Sequence, residues 1–194
     1  MTKAILGQKL GMTQIWDDKG RLVPATVIFA PANTVIEKSE DRVLVGVAAA
    51  GKTSKPQQHI AKKLDSKRGI LLKEFKGVSP EGETLSVSQF QVGDKVSISG
   101  VTKGKGFAGT IKRHNFHRGP MTHGSDNIRQ PGSIGAQRPQ RVPKGQKMAG
   151  HMGAVNLTVR GNKVLAVNEK DNLIIVSGAV PGPAKGRIMI RSNS

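Results

Sequence analysis

Residues 103–153 read KGKGFAGTIKRHNFHRGPMTHGSDNIRQPGSIGAQRPQRVPKGQKMAGHMG, and the rest of the chain is organised around this run. Its only acid is Asp126, set against ten cations: Lys103, Lys105, Lys112, Arg113, Arg118, Arg129, Arg138, Arg141, Lys144 and Lys147. No apolar period of 2 or 3.6 is sustained, and glycine and proline recur every few residues, so the segment cannot build a core of its own. Burial does not offset its ordering entropy, and its cations repel one another. It needs a polyanionic partner to hold one shape, and nucleic acid is the obvious candidate.

The bulk composition agrees. Of 194 residues, 31 are Lys or Arg and 13 are Asp or Glu, giving a net charge of +18, the electrostatic footprint of a phosphate binder. Outside 103–153 enough chain remains for one domain, with a core kept lean by an aromatic content of 3%. With no cysteine, a disulfide framework and a thiolate metal site are excluded. No run approaches the roughly 20 apolar residues of a membrane span, and the opening MTKAILGQKLGMTQIW lacks the marks of a leader or transit peptide. A soluble, cytoplasmic protein without a membrane partner is expected.

Strand patterns flank the basic run on both sides. Ala4-Ile5-Leu6 and Thr13-Gln14-Ile15-Trp16 read as two short strands, and Asp17-Asp18-Lys19-Gly20 as the turn into a strand over 22–29. Pro24 places that strand at an edge or on a bulge. Further strands are expected at 35–37, 42–47, 70–75 and 92–100, with Pro80-Glu81-Gly82-Glu83 as an acidic turn. Pro56 opens one short helix over 57–64, with Ile60 and Leu64 on one face and Lys62, Lys63, Lys67 and Arg68 exposed; His59 is a surface or packing histidine. After the basic run, strands are expected at 155–160, 163–167, 173–176 and 187–190, the first two joined by a Gly161-Asn162 turn and the next by a turn over 169–172. The pattern implies a mainly β protein: a small β-barrel made from 1–102 and 154–194, interrupted by a basic, irregular insertion at 103–153. Doubled back at its middle and fully extended, that insertion would reach on the order of 80 Å, which suits a large folded RNA better than one DNA groove.

Gly46-Val47-Ala48-Ala49-Ala50-Gly51-Lys52-Thr53 fits the phosphate-loop formula, in which backbone N–H groups surround phosphates, Lys reaches the terminal ones and Thr holds magnesium. Pro56 falls where the following helix should form its second turn, and no later strand ends in an Asp placed to hold the metal. The alternative is a strand running into a basic loop. No Ser/His/Asp or paired-carboxylate arrangement stands out in so acid-poor a chain, so no enzyme activity, cofactor or small-molecule substrate is expected.

Within the insertion, Lys103-Gly104-Lys105-Gly106-Phe107-Ala108-Gly109 sets cations beside glycines that let the backbone approach phosphates. Lys112-Arg113-His114-Asn115-Phe116-His117-Arg118 interleaves cations with groups that stack on bases or bond base edges and 2′-hydroxyls. Phe107 and Phe116 could instead anchor the root of the insertion to the barrel. His114, His117, His123 and His151 lack the Cys and acid partners of a zinc site and are read as RNA contacts. Two other classes stay open: a phosphate-loop NTPase, recognisable by nucleotide binding that Lys52→Ala abolishes, and an architectural DNA binder with no preference for structured RNA.

These residues also resemble a known family, the bacterial large-subunit ribosomal proteins called L-three. Gly7-Gln8-Lys9-Leu10-Gly11-Met12-Thr13 is similar to its N-terminal motif, and 102–109, followed by Lys112-Arg113 and Asn115-Phe116, to its most specific signature. Lys55-Pro56 with His59 and Ala61-Lys62, Thr122-His123-Gly124, 131–135, 147–150 with Met152-Gly153, and 178–182 match in order, so the resemblance covers essentially the whole chain. It implies a barrel of the kind shared with translation factors. It also implies direct binding of large-subunit rRNA early in assembly near its 3′ end, contacts with neighbouring ribosomal proteins, and an insertion running toward the peptidyl transferase centre. The deepest part would be 129–147, adding Arg129, Gln130, Gln137, Arg138, Arg141, Lys144 and Lys147 to the expected rRNA contacts. Arg138 stands in register with a glutamine that is methylated in some relatives, so that modification is not expected. Ser97 stands where the signature often has Asp or Asn.

Overall fold

The computed structural model describes residues 3–17, 19–39, 42–49, 51–64, 69–78 and 82–192. The chain is mainly β. In order it forms β1 (Ala4–Trp16), β2 (Leu22–Phe29), β3 (Asn33–Lys38), β4 (Arg42–Ala49), α1 (Gln58–Lys63), β5 (Gly69–Lys76), β6 (Thr84–Leu85), β7 (Lys95–Val101), β8 (Phe107–Ala108), α2 (Thr110–His114), β9 (Gly150–His151), β10 (Asn156–Asn168), β11 (Leu173–Ser177) and β12 (Arg187–Ser192). Short 3-10 turns at Lys55–Gln57 and Val87–Gln89 complete it. Its contacts divide it into two units: Met1–Thr102 with Asn156–Ser194, and Lys103–Val155.

In the first unit, six antiparallel strands close into a barrel in the order β1-β12-β7-β10-β11-β2. Alternation along each strand sends one set of β-branched side chains inward: Ile5, Ile28, Val96, Ile98, Val164, Ile174, Val176, Ile188 and Ile190, joined by Val87 and Phe90 from the turn before β7. A second sheet, β5-β4-β3-β6, has its own core, in which Val43, Val45, Phe75 and Leu85 meet Ala4 and Leu6 of β1. At this point β1 is buried on both faces, Ile5 inside the barrel and Ala4 and Leu6 against the second sheet, and so it reads as an unbroken apolar run. Asn33 ties the two sheets together. Its fully buried side chain accepts from the Leu6 N–H at 2.7 Å and donates to the Leu6 and Pro31 carbonyls at 3.1 and 2.6 Å.

Two sequence expectations are corrected. The two short strands expected at 4–6 and 13–16 are halves of one strand: β1 pairs with β12 over its first part and with β2 over the rest, its register shifting between Lys9 and Gly11. Likewise Gly161-Asn162 is not a hairpin turn but lies at a bulge inside β10, where the pairing with β7 shifts register between Val159 and Asn162 and then resumes; β11 pairs with β10 from Val164 on. The buried Asn162 side chain bonds the Ser177 carbonyl of β11, which holds the bulge open. Pro24 sits where β2 has β1 on one side but has run past its β11 partners, so no ladder bond is lost. Strand β7 starts at Lys95, since Gly93 takes a positive φ of 95° in the preceding turn.

The expected helix begins as the 3-10 turn holding Pro56 and continues as α1, where Ala61 is the buried residue and His59 is exposed. Gly46 is not part of a phosphate loop. It lies inside β4, and a Cβ there would sit 2.5 Å from Ile36 Cδ1 and 2.8 Å from Leu64 Cδ1, so glycine lets Leu64 pack on the sheet. Lys9, from the N-terminal motif, donates its ammonium to the carbonyls of Val180 and Gly182 at 2.7 and 3.2 Å. Two motifs far apart in sequence therefore make one structural contact. Asp18, Ala50, Lys67, Arg68, Pro80 and Glu81 lie outside the described residues.

Asn33→Ala strands the Leu6 backbone groups in a dry contact and is expected to cost about 3 kcal/mol, measured by denaturant unfolding; a loss below about 1 kcal/mol would contradict the tie. The Gln91 N–H and then the Lys3 ammonium, each 3.0 Å from Asp94 Oδ2, hold the Asp94 carboxyl below its ordinary value of 3.8. A depressed carboxylate stabilises the fold above its unfolded pKa, and that contribution is lost as pH falls through the folded one. Asp94→Asn should therefore cost about 1 kcal/mol at pH 7, the gap to the unaltered chain closing on acidification below about pH 4.

Candidate nucleic-acid interface

Residues Lys103–Val155 form the second unit, and very little of it is regular. Its two ends are held together by β8 and β9, with Phe107 opposite His151 and Ala108 opposite Gly150. Two further bonds, Lys105 N–H to the Met152 carbonyl and Met152 N–H to the Gly106 carbonyl, both 2.9 Å, extend this pairing. Gly153 takes φ +77°, and a Cβ there would fall 2.1 Å from the Lys103 carbonyl oxygen, so only glycine allows the two segments this close approach.

Next comes α2, a second short helix where the sequence reading expected irregular chain. Gly109 precedes it in an extended conformation, and Asn115 ends it in the left-handed region at φ 60°, its N–H reaching the Ile111 carbonyl at 3.0 Å. Asn is the residue after glycine that best tolerates this cap, so the stop was visible in the sequence, while five helical residues were too few to show a period. The helix also changes the reading of two candidate contacts. Arg113 Nη1 donates to the Met148 carbonyl at 2.7 Å, and His114 Nε2 lies 3.0 Å from the same oxygen. Both side chains therefore tie α2 to the chain returning toward β9. Met148, which supplies that acceptor through its backbone, had no side-chain chemistry to mark it.

The remaining candidates lie open. Lys103, Lys105, Lys112, Asn115, His117, Arg118, His123 and His151 are exposed, and so is every residue of 129–147, including Arg129, Gln130, Gln137, Arg138, Arg141, Lys144 and Lys147. Phe107 is 80% exposed; Phe116 is half-buried, its ring tilted against His114 at a centroid distance of 6.1 Å. Met121, Ile134 and Val142 are exposed as well, so apolar surface is interleaved with charge.

Among the described residues, the ion pairs are Lys3 with Asp94 and Arg42 with Glu74, both in the first unit, so no cation of the basic run is neutralised by a carboxylate. The described residues also include no group of three His, Asp or Glu side chains placed to hold a metal. The unit offers guanidinium and ammonium groups, imidazoles, amides and an exposed aromatic ring along an open backbone. That set bonds phosphates, stacks on bases and reads their edges.

Comparison with known proteins points the same way. The family model described as Ribosomal protein L3 matches residues 57–173, which takes in α1, β7, the whole second unit and β10. The large ribosomal subunit protein uL3 of Shouchella clausii (strain KSM-K16) is 41% identical over 202 residues, an alignment covering 99% of this chain and 98% of that one. The similarity spans the barrel, the second sheet and the basic unit alike, and the chain belongs to the ribosomal protein L3 family.

Proposed function

We propose that this chain is a structural constituent of the large ribosomal subunit in the cytoplasm and binds large-subunit rRNA directly, through the basic unit. The observation that carries the proposal is the open run at 129–147: each residue is exposed, and among the described residues its five cations, Arg129, Arg138, Arg141, Lys144 and Lys147, are paired with no carboxylate. A monomer gains nothing from holding such charge in one place. Folded RNA supplies the missing counter-charge, releasing its condensed cations as Lys and Arg replace them.

In this reading the two units divide the work. The barrel, of the kind shared with translation factors, sits at the rRNA surface near the 3′ end and meets neighbouring ribosomal proteins. The insertion at 103–153 enters the RNA and runs toward the peptidyl transferase centre. Lys103, Lys105 and Lys112 bond phosphates near its root, Phe107, His117, His123 and His151 contact bases, and 129–147 lies deepest. Joining occurs early in assembly, while the RNA around the insertion can still close on it. The protein shapes its surroundings through charge and form and does no chemistry.

The test compares the intact chain with one in which 103–153 is replaced by a short Gly/Ser linker, measuring affinity for large-subunit rRNA fragments over a salt series. The intact chain should prefer a 3′-proximal fragment, and the replacement should lose most of a log K against log salt slope of roughly 5 to 8 units. Equal binding by both chains would move the affinity to the barrel and contradict the proposal.

A further inference from the structure

A groove of about 750 Å³ runs over the globular unit, between β5, the edge strand of the second sheet, and the outward face of β12, β7 and β10. Its floor follows from register. Met189 lies opposite Ser99 and Arg191 opposite Ser97 across β12 and β7, while Ser99 lies opposite Thr158 across β7 and β10. Because Val96, Ile98, Ile188 and Ile190 point into the barrel, these alternate residues point out of it. Ser99 Oγ and Thr158 Oγ1 are 2.7 Å apart and form a hydroxyl pair in the middle of the floor.

Four cations surround these hydroxyls. Arg191 comes from β12 and Arg160 from β10, at the point where the bulge shifts the ladder and re-aims the chain; Lys73 and Lys76 come from β5 on the opposite wall. The carboxylate on that wall, Glu74, lies 3.2 Å from Arg42, and none of the four cations is paired with a carboxylate among the described residues. Residues between 73 and 191 in the chain thus converge on one cationic, hydroxyl-lined channel, none of them in the basic unit.

Arg and Lys with Ser and Thr hydroxyls are the side chains that bond phosphate oxygens, and they position a nucleic acid without reading its bases. With strands about 4.8 Å apart, Arg191 and Arg160 stand on strands roughly 10 Å apart, which suits several successive phosphates better than a single ion. We propose that this groove is a second phosphodiester-backbone site, which engages a further stretch of large-subunit rRNA independently of 103–153. The proposal rests on the rRNA-binding reading above, which seats the barrel at the rRNA surface, and adds to it the groove through which the globular unit bonds the backbone.

The test uses the full chain with Arg160→Gln and Arg191→Gln together and, separately, Lys73→Gln with Lys76→Gln, all four side chains being exposed. Folding is checked by circular dichroism. Each double variant should lower the salt slope for large-subunit rRNA by about 1.5 units, to a similar extent on every fragment the unaltered chain binds. Unchanged slopes in both variants, with the unaltered chain binding normally, overturn the groove and leave the basic unit's role standing. Variants that keep the rRNA slope but lose affinity for a polyglutamate peptide assign the groove to an acidic protein segment, which also overturns it. If the unaltered chain itself fails to bind rRNA, both readings fall together, so the two failures are distinguishable.

Discussion

The ladder between β7 and β10 makes the rest of the structure possible. It closes the barrel by placing Ile98 and Val96 beside Val164, and it sets Val101 opposite Asn156, the residues from which the chain departs and to which it returns. A loop of about 50 residues costs roughly 3.5 kcal/mol plus a constant to close, and doubling its length would add only about 0.6 kcal/mol. An insertion of this size is therefore tolerable wherever neighbouring strands pin both ends, and the buried β-branched residues on those strands supply the pinning. The β8–β9 pairing, with Gly153 crossing close to Lys103, brings the two segments together again inside the insertion.

Charge is distributed by the same logic. Among the described residues the carboxylates in ion pairs belong to the globular unit, Asp94 with Lys3 and the Gln91 amide, Glu74 with Arg42. Between Lys103 and Gly153 the cations have only Asp126 for company, so this stretch holds a concentrated positive field along a backbone with few internal hydrogen bonds. Such a field raises the rate of encounter with RNA and makes affinity strongly salt-dependent. It is unfavourable for the isolated protein, and a polyanion relieves it.

Much of this was legible in the sequence because different physics marks different regions. The barrel strands show as alternating β-branched runs, and 103–153 shows as a loss of period together with a loss of acids. What escaped was whatever depends on position in three dimensions. Lys9 and Leu10 at one bulge, and Gly161 and Asn162 at the other, look like strand ends because the hydrophobic alternation breaks there, although the chain continues into a second partner strand. Asn33 looks like a turn residue, and only the fold reveals it as a buried tie between two sheets. Within the candidate interface, cations could be counted, but not sorted. Arg113 and His114 bond Met148, while Arg129 and its successors stay open, and no local spacing separates the two groups. Lys73, Lys76, Arg160 and Arg191 were invisible as a set, being collected only when β5 lies along the barrel face.

Backbone hydrogen exchange, followed in the free protein and again with large-subunit rRNA bound, tests most directly whether RNA supplies the order that the basic unit lacks. With nearly all its amides exposed and outside regular structure, 129–147 should exchange rapidly in the free chain, while the amides of β7, β10 and β12 are protected. On binding, 129–147 should become protected by at least about tenfold, with the barrel little changed. Strong protection of 129–147 in the free protein, or none when rRNA is bound, would contradict the account.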